Sequence, residues 1–131
     1  MIGHRAHAIS ASTEGEVESY QHWQWEIPGP QKGEGVFLTG VGGILYPPGS
    51  LHADLADSTT FMDLCPTADD VWFYFMARRA GYVHSKTKGL GLIHTWRNTQ
   101  DGSLAQENVE KDGNDRAFEG LVRKYGNPLT H

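Results

Sequence analysis

Two adjacent carboxylates, Asp69 and Asp70, are the residues whose type and position best suit them to chemistry. They open the apolar run Val71 to Ala77, and the spacing predicts a helix from about Ala68 to Ala80. At a helix N-terminus the positive end of the backbone dipole favours ionised carboxylates. An ionised carboxylate at the edge of a pocket can take a proton from a hydroxyl nucleophile. The same residues also admit a structural role. Thr67 and Asp70 fit a Thr-x-x-Asp variant of the capping box, with Asp69 complementing the dipole.

Other chemistry-bearing types are less organised. Thr39-Gly40-Val41-Gly42-Gly43 is rich in glycine, but it lacks the Gly-x-Gly-x-x-Gly and Gly-Lys-Ser/Thr spacings, and an extended Ile44-Leu45-Tyr46 follows it. It reads as a backbone kink that can approach a ligand. His4 and His7 are three apart, which places them on opposite faces of a strand. His22, His52, His84 and His131 are scattered, and the single Cys65 completes no zinc pattern. His94 is the residue to watch as a metal ligand, because it ends an apolar strand-like run. Trp23 and Trp25 share one face if their segment is a strand; such a pair either stacks on sugar rings or packs into the core. No Gly-x-Ser-x-Gly elbow and no Cys–His pairing supports nucleophilic catalysis.

These residues need elements to hold them. His4 to Ser12 and Val17 to Ile27 read as strands, with a surface loop over Pro28 to Gly35. Val36-Phe37-Leu38-Thr39 and Ile44-Leu45-Tyr46 are short extended segments. Leu51 to Leu64 reads as one or two helical turns, with Leu51, Leu55, Phe61 and Leu64 turned inward. Gly81 is the expected C′ residue of the Ala68–Ala80 helix. Tyr82 to His84 and Leu90 to Thr95 follow as extended segments, and a last helix begins at Asn114 or Asp115 and stops near Gly126-Asn127-Pro128. Strands alternating with helices predict an α/β or α+β fold, a mixed sheet flanked by helices.

Composition narrows the function classes. The chain has 131 residues, which suits a single domain over 1–131, and its 14 Trp, Tyr and Phe residues call for a core. Lys plus Arg total 11 against 16 Asp plus Glu, a net charge of -5 that argues against nucleic-acid binding but leaves room for a local basic patch. Its longest apolar runs fall far short of the ~20 residues that span a bilayer, and no apolar signal region follows Met1. One cysteine excludes an internal disulfide. The expected setting is soluble and cytoplasmic, with a peripheral position at the inner membrane face as the variant of it.

Read together, Gly40-Val41-Gly42-Gly43-Ile44-Leu45-Tyr46-Pro47-Pro48-Gly49-Ser50-Leu51-His52 and Leu64-Cys65-Pro66-Thr67-Ala68-Asp69-Asp70-Val71-Trp72-Phe73 resemble a bacterial glycosyltransferase family. It is the family-2-like GT-A group associated with surface polysaccharide synthesis. His4-Arg5-Ala6-His7 resembles the segment opening the acceptor-side half of that family, and Ser103-Leu104, Asn108-Val109 and Gly113-Asn114-Asp115 resemble its C-terminal pattern. The resemblance implies inverting transfer from a nucleotide-diphosphate sugar to a hydroxyl of a glycan acceptor. It implies Asp70, or else Asp69, as general base. Gly42, Gly43, Tyr46 and Pro47 would form the substrate-binding wall, with Trp72 packed beneath. A full enzyme of this kind holds Mn²⁺ or Mg²⁺ on an Asp-x-Asp motif in its nucleotide-binding half. No Asp-x-Asp occurs in this sequence, so the chain resembles the acceptor-side half alone. A non-catalytic glycan-binding or subunit module derived from such an enzyme is the alternative. Surface normally covered by the other half implies a homo-oligomer.

Overall fold

In the computed structural model the described residues are 1–89, 91, 94, 96, 97, 103, 106, 108 and 112–130. Among them are six short strands: β1 (Ile2–Gly3), β2 (Ala6–Ala8), β3 (Gln31–Gly33), β4 (Val36–Leu38), β5 (Ile44–Leu45) and β6 (His84–Lys86). Three α-helices join them: α1 (Ser58–Leu64), α2 (Asp69–Arg79) and α3 (Gly113–Tyr125). Single 3₁₀ turns occupy Tyr20–His22 and Ala53–Ala56. The fold is mixed α+β. A four-stranded mixed sheet runs β3-β6-β1-β5, in which β1 is parallel to β6 and antiparallel to β5. β2 and β4 form a separate antiparallel pair.

Helix α2 organises the interior. Val71, Trp72, Tyr74, Phe75, Met76, Ala77 and even Arg78 are buried, so the helix is enclosed nearly all round, as its unbroken apolar run predicts. Its C-terminus has the Schellman pattern: Tyr82 N–H donates to Ala77 O, Gly81 N–H to Arg78 O, and Gly81 is left-handed at φ 83°. Arg78 tolerates burial because Nε donates to Pro128 O at 2.9 Å and Nη1 to Tyr82 O at 3.0 Å. An aromatic cluster fills the space between α2, α3 and β4. Phe118 meets Phe75 at 4.9 Å and Trp23 at 5.4 Å, and Phe37 meets both Trp23 and Tyr74.

The N-terminal third departs from the expected strands. Val17 to Ile27 forms no regular strand: its ladder pairing is limited to the isolated bridges Ala11–Val17 and Ala8–Gln24, around the 3₁₀ turn at Tyr20. Aromatic packing dictates this, because Tyr20 and Trp23 both turn into the core while Trp25 stays 41% exposed. Trp23 and Trp25 therefore do not share a face. Pro28 to Gly35 is not all loop either, since Gln31–Gly33 becomes an edge strand on β6. His4 to Ser12 contains only the three residues of β2 as regular strand. Leu51, Leu55, Phe61 and Leu64 pack half-buried against the core. The extended segment expected over 90–95 lies outside the described residues except for Gly91 and His94. No helix among the described residues is long and apolar enough to cross a membrane.

Phe118→Ala should destabilise the protein by about 3–5 kcal/mol, because it empties the centre of the aromatic cluster. Glu119→Ala, one residue on and exposed, should stay within about 0.5 kcal/mol. Urea unfolding of both variants checks the pair; similar midpoints would mean that α3 does not pack through Phe118.

Candidate functional site

A cleft of about 360 Å³ opens at the N-terminus of α2 and is lined by both Asp69 and Asp70. The expected capping box does not form. Ala68 is the N-cap residue and no side chain caps the helix. Thr67 is drawn away by Asn108: its hydroxyl donates to Asn108 Oδ1 at 2.7 Å, and Asn108 Nδ2 donates back to Thr67 O. Asp69 stays local, with Oδ1 accepting the Asp70 N–H at 3.0 Å. Asp70 turns instead to the turn after β4, where its two oxygens share the Gly40 N–H at 3.0 and 3.1 Å.

That arrangement makes Asp70 unusually basic. Burial pushes its carboxyl up from 3.8 to about 6, and the neighbouring Asp69 charge adds to the rise. The Gly40 amide and the Arg5 guanidinium pull the other way without cancelling it. A Cβ on Gly40 would lie 3.2 Å from Asp70 Oδ1, so a side chain there would press on the carboxylate. Tyr46 sits behind the pair: its ring tilts over Phe73 at 5.2 Å, and burial together with the Asp70 and Asp69 charges raises its phenol.

The opposite wall comes from the N-terminal strands. Arg5 Nε donates to Glu26 Oε1 at 2.8 Å and Nη1 to Thr39 Oγ1 at 3.2 Å. That hydrogen bond and charge hold the Glu26 carboxyl below its ordinary value. Glu26 has a left-handed backbone, φ 50°, a strained conformation of a kind that collects at functional sites. Its N–H donates to His7 Nδ1 at 2.9 Å, which leaves Nε2 to carry the ring hydrogen. Burial lowers His7 to about 4, so the imidazole is neutral near pH 7. Trp25 stacks on His7 with centroids 5.1 Å apart and is anchored by Nε1–H donating to Tyr20 O. Tyr20, Asn108 and Asn114 complete the lining, and burial pushes the Tyr20 phenol up to about 12.

The residues singled out in the sequence divide. Asp69 and Asp70 meet in the cleft. Gly42, Gly43, Tyr46, Pro47 and Trp72 are not among its lining residues. Gly42 and Gly43 take positive φ on an exposed turn, Pro47 is exposed, and Trp72 is buried with Nε1–H directed at Leu55 O. His94 is exposed, and among the described residues no group of three or more His, Cys, Asp or Glu is placed to hold a metal ion. Burial raises the Cys65 thiol to about 12, which leaves it protonated and unreactive. Spacing gave no sign of Arg5, His7, Asn108 or Asn114, whereas Thr39 and Gly40 belong to the glycine-rich turn expected to approach a ligand. Arg5, His7, Asn108 and Asn114 do fall inside the segments that carry the family resemblance, and Trp25 belongs to the alternating Trp pair.

Asp70 also leaves a signature in stability. An unfolded Asp loses its proton near 3.8 and the folded one near 6, so across that window the folded state holds more protons and stability falls as pH rises. Asp70→Asn keeps an acceptor for Gly40 without the buried charge. It should be more stable than the unsubstituted protein by about 1–2 kcal/mol at pH 7–8, the difference closing between pH 6 and 4. Urea midpoints against pH measure this, and a pH-independent difference would show that the Asp70 carboxyl titrates in the folded protein as it does in the unfolded chain. The chain matches no family model, no curated protein and no solved structure.

Proposed function

We propose that this chain is the acceptor side of a nucleotide-sugar glycosyltransferase of the GT-A, family-2-like kind, with Asp70 as the general base. The observation that carries the reading is the Asp70 carboxylate, made basic by burial and facing a cleft with an aromatic wall. A base near 6 is ionised at pH 7 yet retains proton affinity, the compromise that general-base catalysis favours. The acceptor hydroxyl gives its proton to Asp70 as its oxygen attacks the anomeric carbon. The carbon–oxygen bond to the diphosphate breaks, and the diphosphate leaves with the electron pair. Inversion follows from that single in-line displacement. The half-exposed face of Trp25 offers a platform for a sugar ring, and Thr39, Asn108 and Asn114 offer polar groups for its hydroxyls. Mn²⁺ or Mg²⁺ on the donor diphosphate belongs, by the resemblance, to the nucleotide-binding half.

A glycan-binding module is the second reading, favoured by the same platform: Trp25 and the two asparagines would hold a sugar whether or not Asp70 takes a proton. Donor dependence separates the two. UDP-, GDP- and dTDP-sugars with Mn²⁺, titrated into the protein joined to a donor-binding half and followed by NMR, should shift resonances around Asp70. Glycan binding without any response to a donor supports the module instead.

In a transfer assay containing a donor-binding half, Asp70→Asn should lower kcat by at least about 100-fold. The rate of the unsubstituted protein should fall about tenfold per unit below pH 6, as the base takes up its proton. Trp25→Ala should raise the acceptor KM about tenfold with little change in kcat. Full activity in Asp70→Asn would remove the assignment of the base. Self-association is checked separately: sedimentation at rising concentration should show a dimer or larger species, and a strict monomer would dismiss the homo-oligomer.

A further inference from the structure

Arg5 lines two cavities. One is the Asp70 cleft; the other, of about 220 Å³, is bounded by His4, Arg5, Glu26, Lys86, Gly89 and backbone nearby. It forms where two parallel strands end, since His4 and Arg5 follow β1 and Lys86 closes β6. The carboxyl ends of parallel strands are a favoured place for ligands in α/β sheets.

Lys86 is the anomaly in this pocket. It is only 5% exposed, and among the described residues its ammonium donates a single hydrogen bond, to Thr87 O at 3.1 Å. An ammonium carries three donors, and a buried charge is ordinarily paired. Lys86 has no ion-pair partner among the described residues. Glu26, the carboxylate of the pocket, is engaged by Arg5 Nε at 2.8 Å. A Cβ on Gly89 would stand 3.9 Å from Lys86 Nζ, so the glycine keeps the space beside the ammonium open. His4 borders that space with Nδ1 fixed by Lys88 O at 2.9 Å. The protein as a whole carries a net charge of -5, so a buried ammonium beside a guanidinium is not a by-product of a basic surface.

We propose that this pocket binds a phosphoryl group, with Lys86 Nζ as its buried charged donor and Arg5 as the second cation, shared with the Asp70 cleft. A phosphoryl group presents more oxygens and more charge than a carboxylate, enough to meet a point-charge ammonium and a guanidinium together. The pocket stands apart from the glycosyl-transfer reading, because the anion binds whether or not Asp70 accepts a proton.

The test titrates the protein with inorganic pyrophosphate, and in parallel with UDP and with glucuronate, following the lysine ammonium signals by NMR. Pyrophosphate should bind saturably and move the Lys86 signal, with glucuronate at least tenfold weaker. Lys86→Met should lose at least tenfold in affinity, and Asp70→Asn should bind as the unsubstituted protein does. UDP tighter than pyrophosphate assigns the phosphoryl group to a nucleotide; equal affinities assign it to the diphosphate alone, and both outcomes support the pocket. An unmoved Lys86 signal at saturating pyrophosphate overturns the proposal even if Lys86→Met fails to fold. Glucuronate binding as tightly as pyrophosphate overturns it as well. Loss of transfer in Asp70→Asn with pyrophosphate binding intact separates the two sites, and failure of the transfer assay leaves the titration result standing.

Discussion

One backbone amide hydrogen shared by two carboxylate oxygens fixes the relation between the two halves of the cleft. Asp70 belongs to α2, the helix enclosed by the core, and Gly40 belongs to the turn that leaves β4. Their contact sets the distance between the helix start and the β2–β4 pair, and β2 in turn carries His7 opposite. A single amide is too little to keep a half-buried carboxylate strongly acidic. The contact that builds the site therefore also leaves it basic, so position and reactivity come from one interaction.

Buried histidines oppose Asp70 in the protein's response to acid. Burial lowers His7 to about 4 and His84 to about 3, against an ordinary 6.5. An unfolded histidine takes up its proton first, so both residues withdraw stability as pH falls below 6.5. Asp70 returns some as pH falls below 6. With two groups against one, and the histidines displaced at least as far, net stability declines towards acid. His84 serves the interior, where Nδ1 accepts the Leu38 N–H at 3.4 Å and the ring meets Tyr74 edge-on. His7 instead faces the cleft, where its neutrality decides what it offers a ligand.

Helix α2 was legible almost to the residue, because an apolar run followed by glycine leaves few alternatives. Its start was misread for an instructive reason. Thr67 and Asp70 have the spacing of a capping pair, yet each found a partner far away in sequence, at Asn108 and Gly40. Local patterns state what a side chain can bond when nothing better is near, and tertiary structure supplied something better. The Trp23–Trp25 alternation failed in the same way, since aromatic packing around Phe37 and Phe118 turned one ring inward and left the other at the cleft. The acidic pair was visible in advance. Arg5 and Asn114, 109 positions apart, become neighbours of one cavity only through the fold, and no local spacing encodes that meeting.

Asp115 sits in the first turn of α3, but its carboxylate reaches across to the N-terminal segment, accepting from Ser19 Oγ and from the Tyr20 N–H, both at 2.7 Å. Tyr20 in turn accepts the Trp25 indole hydrogen at its carbonyl. The last helix thereby holds the aromatic wall by a two-step linkage, as a hand holds a door through its handle. A helix that lends the cleft a single lining residue, Asn114, thus also anchors the segment that carries its aromatic wall.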